Sequence, residues 1–309
     1  MLRYAPIAIL LALLPLAAGA EEPLAVADAQ KLAQGTFAEY LELLAIPNDA
    51  VNAADIQKNA DYLEKAFRKR GFETRQLENQ GRPMLFAEWP KKQPGAKTVL
   101  FYLHMDGQPV TNAEWTQPNP WLPTVKRRNA EGKWELANPG ALFTEELDPE
   151  LRVFARSAAD DKGPIMMFLA AFDGLGKRKA DPALNVKVLL DGEEEKGSPS
   201  LAAVAASNRE LLKADVVLVH APVLVTPLEP LAEWIHGALK RVDPAAEAAP
   251  LRMAGGAPID RLAGIVGAPF AVVPLANRDA NQHSFDENMR VGHYVEGIRV
   301  MNELLRNGY

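Results

Sequence analysis

Short β-type runs alternating with helical runs predict an α/β layer fold with a mostly parallel central sheet. Two further observations agree. The 309 residues are 48% hydrophobic and 24% charged, which fits a globular chain and excludes wholesale disorder, collagen-like repeats and a multi-span membrane protein. Four polar clusters lie at strand ends or helix starts, where functional groups gather in such sheets.

Taken in order, apolar spacing predicts helices over 25–44 and 56–70, with Gly71 at a C-cap position. Strand-like runs follow at 84–86 and 98–103. Residues 112–149 are rich in Pro, Asn, Trp and charge and read as a long surface excursion. A buried helix of small and apolar residues is expected over 164–175, a strand over 186–190, a helix over 201–212 and a strand over 216–219. A helix over 228–239, a strand over 270–273 and a terminal helix over 291–305 complete the pattern. The Ala-rich stretch 244–250 reads as a loop, and no internal repeat is present.

The formal charge of -6 argues against a general nucleic-acid binder. The chain has no cysteine, so disulfides, thiolate metal sites and cysteine nucleophiles are excluded. Any metal must be held by histidine and carboxylate, and there are only five histidines. At the N-terminus, Arg3 precedes an apolar run over 5–18 and the small residues Ala18, Gly19 and Ala20. This layout predicts a signal peptide over 1–20, a periplasmic or secreted protein, and no stable membrane association after cleavage. An uncleaved N-terminal anchor is the alternative reading of the same run.

The four clusters are His104-Met105-Asp106, Asp160-Asp161-Lys162-Gly163, Glu193-Glu194-Glu195-Lys196-Gly197-Ser198 and Asn281-Gln282-His283-Ser284. One such cluster is ordinarily a solvated turn. Four together supply the ligand types that a hard or borderline metal requires.

This ordered set, with Glu287-Asn288 nearby, resembles the M20 family of dinuclear zinc peptidases, which includes carnosine-type dipeptidases and carboxypeptidase G2. Supporting matches are His104 to Val110, Thr226-Pro227-Leu228, Arg252 to Ile259 and Pro274 to Asn288. The resemblance implies a three-layer zinc-peptidase (phosphorylase/hydrolase-like) fold, with 21–309 as the catalytic domain. It implies two Zn²⁺ ions, with Mn²⁺ or Co²⁺ as alternatives. His104 would bind one metal, Asp160 would bridge both, and Glu195 and His283 would bind the other. Asp106 would fix the His104 imidazole, the Asp160–Asp161 peptide would be cis, and Glu194 would be the general base. The implied substrate is a small peptide or N-acyl amino acid. No acyl-enzyme is needed, so Ser157 and Ser198 are read as structural, and His236 and His293 as surface or capping residues.

Two departures accompany the resemblance. The family's lid domain, normally inserted near 222–227, is absent, which predicts a monomer. The family's remaining metal-ligand carboxylate falls on Ala221. His220 is adjacent as a substitute ligand, although strand alternation points it to the opposite face unless the strand ends or bulges. In the Gly-Gly loop, Gly256 and Ala257 are the expected substrate contacts, Ala257 standing where Ser or Thr is usual. These departures leave two rival readings: a degenerate metal-binding domain with little or no turnover, or a functional enzyme from which the lid has been deleted.

Overall fold

Asn52 accepts from the backbone N–H groups of Ala54 and Asp55, satisfying orphan donors at the start of a helix. Gly71, at φ 93°, takes the left-handed turn after that helix that a Cβ would resist. Such local signals set the order of elements in the computed structural model, which describes residues 22–220, 230–245 and 258–309. The first half contains α1 (Val26–Leu44), α2 (Ala53–Lys69), β1 (Glu73–Leu77), β2 (Met84–Glu88) and β3 (Thr98–His104). Then come β4 (Thr124–Arg128), β5 (Trp134–Leu136), β6 (Arg152–Phe154), α3 (Lys162–Lys177) and β7 (Asn185–Asp191). The remainder is α4 (Leu201–Ser207), α5 (Arg209–Leu212), β8 (Val216–His220), α6 (Leu231–Val242), α7 (Pro258–Val266), β9 (Phe270–Val273), β10 (Asn288–Arg290) and α8 (Val291–Arg306).

The central sheet runs β1-β2-β7-β3-β8-β9. Strands β7, β3, β8 and β9 are parallel neighbours, while β1 and β2 add antiparallel pairings at one edge. Alternation along β3 shows how the faces are covered. Val99, Phe101 and Leu103 pack into the core that contains α1, α3 and α8, whereas Leu100 and Tyr102 pack into the core that contains α4 and α7. Helices on both faces give the expected three layers. Because four strands run the same way, β3, β7 and β8 end at one edge, carrying His104, Asp191 and His220 there together.

Helix α3 is apolar nearly all round and lies in the core, where Phe168 meets Phe101 and Phe172 at 5.0 Å each. Its first residue, Lys162, is fully buried. Its Nζ donates to the carbonyls of Leu43 (2.8 Å) and Ile46 (2.7 Å), at and just beyond the end of α1. The start of α3, where the site lies, is thereby tied to α1.

The surface excursion expected over 112–149 is corrected: it contains β4 and β5, which join β6 and β10 in a second, antiparallel sheet of order β10-β6-β4-β5. These strands are three to five residues long and polar, such as Thr-Val-Lys-Arg-Arg in β4, so they carry no apolar alternation. Strand β1 escaped notice for the same reason. The helix expected over 201–212 is interrupted at Asn208, and that expected over 228–239 is shifted to Leu231–Val242. His236 is half-buried with its Nε2 enclosed and unbonded. The segments expected to be a signal peptide (1–20) and the site of the absent lid (222–227), with Ala221, Gly256 and Ala257, lie outside the described residues. Among the described residues, no helix is long and apolar enough to cross a membrane.

His293, on α8, is half-buried and accepts from Arg290 Nε through Nδ1 (2.9 Å). Burial, then the Arg290 charge, lowers its pKa from 6.5 to about 4. The folded chain keeps this imidazole neutral while the unfolded chain protonates it. The stabilisation is therefore complete above about pH 6.5 and is lost as the pH falls towards 4. Urea unfolding at pH 7 and pH 4.5 should show His293→Gln losing less stability than wild type on acidification; equal losses would refute this. Phe168→Ala should cost about 3–5 kcal/mol in the same measurement, because it empties the centre of the aromatic cluster.

Candidate metal centre

Beyond β3 the chain passes His104, Met105, Asp106 and Gly107, held by Met105 N–H to Asp191 O (2.7 Å) and Gly107 N–H to Asn48 O (2.8 Å). A Cβ on Gly107 would fall 2.3 Å from Ser157 Oγ, so this close approach requires glycine. Asp106 is fully buried, and its two oxygens accept from Glu194 N–H (3.1 Å) and Glu195 N–H (3.0 Å). Its Oδ1 also lies 3.4 Å from His104 Nδ1. One carboxylate thus orients the imidazole at the end of β3 and the acidic turn after β7. With Nδ1 turned to Asp106, His104 presents Nε2 to the site.

Asp160 is the meeting point. Its Oδ1 lies 2.9 Å from His104 Nε2 and its Oδ2 lies 3.0 Å from His283 Nε2. His283 Nε2 is also 3.2 Å from Glu195 Oε2, which accepts from Gln108 Nε2 at 2.7 Å. The ligand atoms of His104, Asp160 and Glu195 all lie within 4.8 Å of one another. Two ligands of one cation, each about 2.0–2.2 Å from it, stand at such separations. The histidine–carboxylate donor set therefore fits zinc. The Asp160–Asp161 peptide is cis, as the resemblance implies.

The proton equilibria reflect this crowding. Burial opposes charge on His104, but the Asp106 and Asp160 carboxylates hold its pKa well above the usual histidine value. The Asp160 bond brings His283 to about 9. Burial raises Asp160, but the two imidazoles bonded to it more than reverse this and hold it well below the carboxylate range. Burial, reinforced by the Asp160 charge, pushes Glu195 up to about 7. Burial also raises Glu194.

Several supports were not assigned from sequence. Glu287, wholly buried, accepts from the backbone N–H groups of Ser157 (2.8 Å), Ala159 (2.9 Å) and Asp160 (3.0 Å), and from Arg156 Nη1 (2.8 Å). It clamps the segment that delivers Asp160, and its place four residues after His283 in one motif was the available signal. Beneath the acidic turn, Tyr102 donates to Asp191 Oδ2 (2.8 Å), while Asp191 Oδ1 accepts Glu193 N–H (2.9 Å). Ser198 is part of this network, 3.1 Å from the Tyr102 hydroxyl, and Ser157 accepts from Asn48 Nδ2 (2.8 Å); both serines have structural partners.

His220 is the last residue of β8 and reaches the site without a bulge. It remains in register with Val273 of β9 and points to the α3 face, where its Nδ1 lies 2.7 Å from Asp161 Oδ1. Asp161 Oδ2 in turn accepts from His104 N–H (3.1 Å).

Residues 100–226 match the peptidase family M20/M25/M40. The chain is 30% identical over 128 residues to the Cys-Gly metallodipeptidase dug1 of Schizosaccharomyces pombe, and 26% identical over 128 residues to the Beta-Ala-His dipeptidase of Homo sapiens. Each match covers 41% of this chain but only 22% and 20% of those relatives. Among solved structures, human carnosine dipeptidase 1 superposes with a TM-score of 0.68 at 14% identity, over 90% of this chain and 97% of that one. The dipeptidase Dug1p of Saccharomyces cerevisiae gives 0.70 at 12% identity, over 91% and 98%. At such identities these structures establish the fold. The stretch that matches this family, residues 100–226, contains His104, Asp106, Asp160, Glu194, Glu195 and His220 and stops short of His283.

Removing Glu287 would leave Arg156 buried without its carboxylate, together with three unpaired N–H groups. Glu287→Ala should therefore cost about 3–5 kcal/mol in urea unfolding. A loss below about 1 kcal/mol would contradict the clamp.

Proposed function

We propose that this chain, with its M20 family domain, is a metal-dependent hydrolase that cleaves the amide bond of a small peptide or an N-acyl amino acid. The observation that carries the reading is the convergence of His104, Asp160, Glu195 and His283 on one another, with Glu194 tied beside them through Asp106. His104, Asp160, Glu195 and His283 would hold Zn²⁺; their nitrogen and oxygen donors also suit Mn²⁺ and Co²⁺. A divalent cation bound there supplies Lewis acidity, which acidifies water and polarises a carbonyl oxygen.

The chain's own part is proton transfer and positioning. Asp106 fixes the backbone of Glu194, and burial makes that carboxylate a better proton acceptor. Glu194 takes a proton from the attacking water as the C–O bond forms. It returns that proton to the departing nitrogen as the C–N bond breaks. Gln108, bonded to Glu195, keeps that carboxylate turned towards His283 and Asp160. The names of the relatives favour a dipeptide as substrate, with Gly256 and Ala257 beside its carboxylate. The segment 1–20 supports a periplasmic or secreted location, and the missing lid supports a monomer.

A degenerate metal-binding domain with little turnover is the second reading, favoured by the lack of any ligand on Ala221. A dipeptide panel assayed with added Zn²⁺, Mn²⁺ or Co²⁺ separates the two. Glu194→Gln should keep its metal content and lose about 10²–10⁴-fold in activity, and chelation should abolish turnover. Absence of turnover at every metal load would support the second reading, and a chain that binds none of these ions would end both.

A further inference from the structure

We propose that Thr116 is a positioning residue for the metal centre: by holding Asp286 it sets the loop 281–286, and with it His283. The inference rests on the metal reading above and reaches beyond it, to residues outside the ligand set.

The side chain of His283 is mostly exposed, and little else holds its loop. Apart from His283 itself, two ties run from 281–286 to distant segments among the described residues. Gln282 Nε2 lies 3.5 Å from the Ala159 carbonyl, the limit of a hydrogen bond. The other tie is the Asp286 carboxylate, whose Oδ1 accepts twice from Thr116: from its backbone N–H at 3.0 Å and from its hydroxyl at 2.9 Å. Asn281, His283 and Asp286 all hold positive φ without being glycine. Such backbone persists only where its surroundings impose it. Thr116 is one such constraint, applied three residues from His283.

Thr116 is itself fixed from three directions. Trp115 before it is buried, with the Arg156 guanidinium 5.3 Å from its ring. Gln117 after it is buried too, and its Nε2 donates to the carbonyls of Asn119 (3.1 Å), Leu122 (3.0 Å) and Phe154 (3.3 Å). From β4, Lys126 is 5% exposed; its Nζ lies 4.3 Å from the centre of the Phe154 ring and donates to Thr116 Oγ1 at 2.9 Å. A threonine hydroxyl has one proton to give. Because Oγ1 accepts from Lys126, that proton goes to Asp286, and the chain Lys126–Thr116–Asp286 runs in one direction. It meets the loop two residues before Asn288, which pairs with Phe154 between β10 and β6. The small antiparallel sheet thereby holds the exposed side of the centre in place.

The test is the Zn²⁺ affinity of the full chain, measured by chelator competition and read beside urea unfolding. Thr116→Val removes the hydroxyl at nearly constant volume. It should weaken zinc binding about tenfold, the lower end of the range for residues that orient a metal ligand. It should also lose stability, because Lys126 Nζ is left buried and unbonded. Thr116→Ser should bind zinc as the wild type does. Combining Thr116→Val with Lys126→Met removes the orphaned amine, so stability should return while zinc affinity stays low. Affinity that recovers together with stability, or wild-type affinity in Thr116→Val, overturns this inference and leaves the proposed function standing. A wild type that binds no zinc overturns both. If neither valine variant folds, Asp286→Ala decides: it cuts the same chain from the loop side and should weaken zinc to the same degree, and an unchanged affinity refutes the tie.

Discussion

The carboxylate of Asp160 is held between two imidazoles, and much of the chain serves to keep it there. A buried carboxylate is costly unless its charge is met by donors or cations. Here the backbone N–H of Asp160 is fixed by Glu287, one oxygen faces His104 at the end of β3, and the other faces His283. The three groups come from segments far apart in sequence. They meet because parallel strands end at one edge of the sheet and because α3 begins there.

That convergence needs rigid backing on each side. Lys162 ties the start of α3 to the end of α1, and the Arg156–Glu287 pair ties the preceding segment to the stretch after His283. The second sheet joins the same two stretches again, through β6 and β10. Asp106 completes the frame by linking the ends of β3 and β7. The site is thus cross-braced by buried polar groups, each with a specific partner. The arrangement adds little net stability over an apolar core, but it makes departures from the native geometry expensive.

How much of this the sequence disclosed depended on the kind of signal. Strands β3, β7, β8 and β9 were readable because burial on both faces makes them continuous apolar runs. The ligand candidates were readable because ionisable residues cluster at their ends. The small antiparallel sheet was not: Val125 and Lys126 are the buried residues of β4, and a buried lysine gives no apolar pattern. Glu287 was seen as part of a motif, but its task is to bind backbone N–H groups 127 to 130 residues away, a pairing that only the fold creates. His220 was judged by strand alternation alone. What alternation omits is depth: Asp161 reaches under His104 to meet it on the α3 face.

The centre is also asymmetric, and the asymmetry bears on how it works. His104 is enclosed, oriented by Asp106 and bonded through its backbone to Asp161. His283 has a side chain 57% exposed and sits at φ 60°, between Asn281 at 55° and Asp286 at 55°. Backbone held in the left-handed region by non-glycine residues costs energy that its surroundings must offset. Here the contacts of His283 with Asp160 and Glu195 supply part of that offset. Strand β3 provides one wall of the site, and the loop 281–286 packs against it from the solvent side. The His283 side is the one that solvent reaches. The buried side, with no such access, keeps the carboxylates in register.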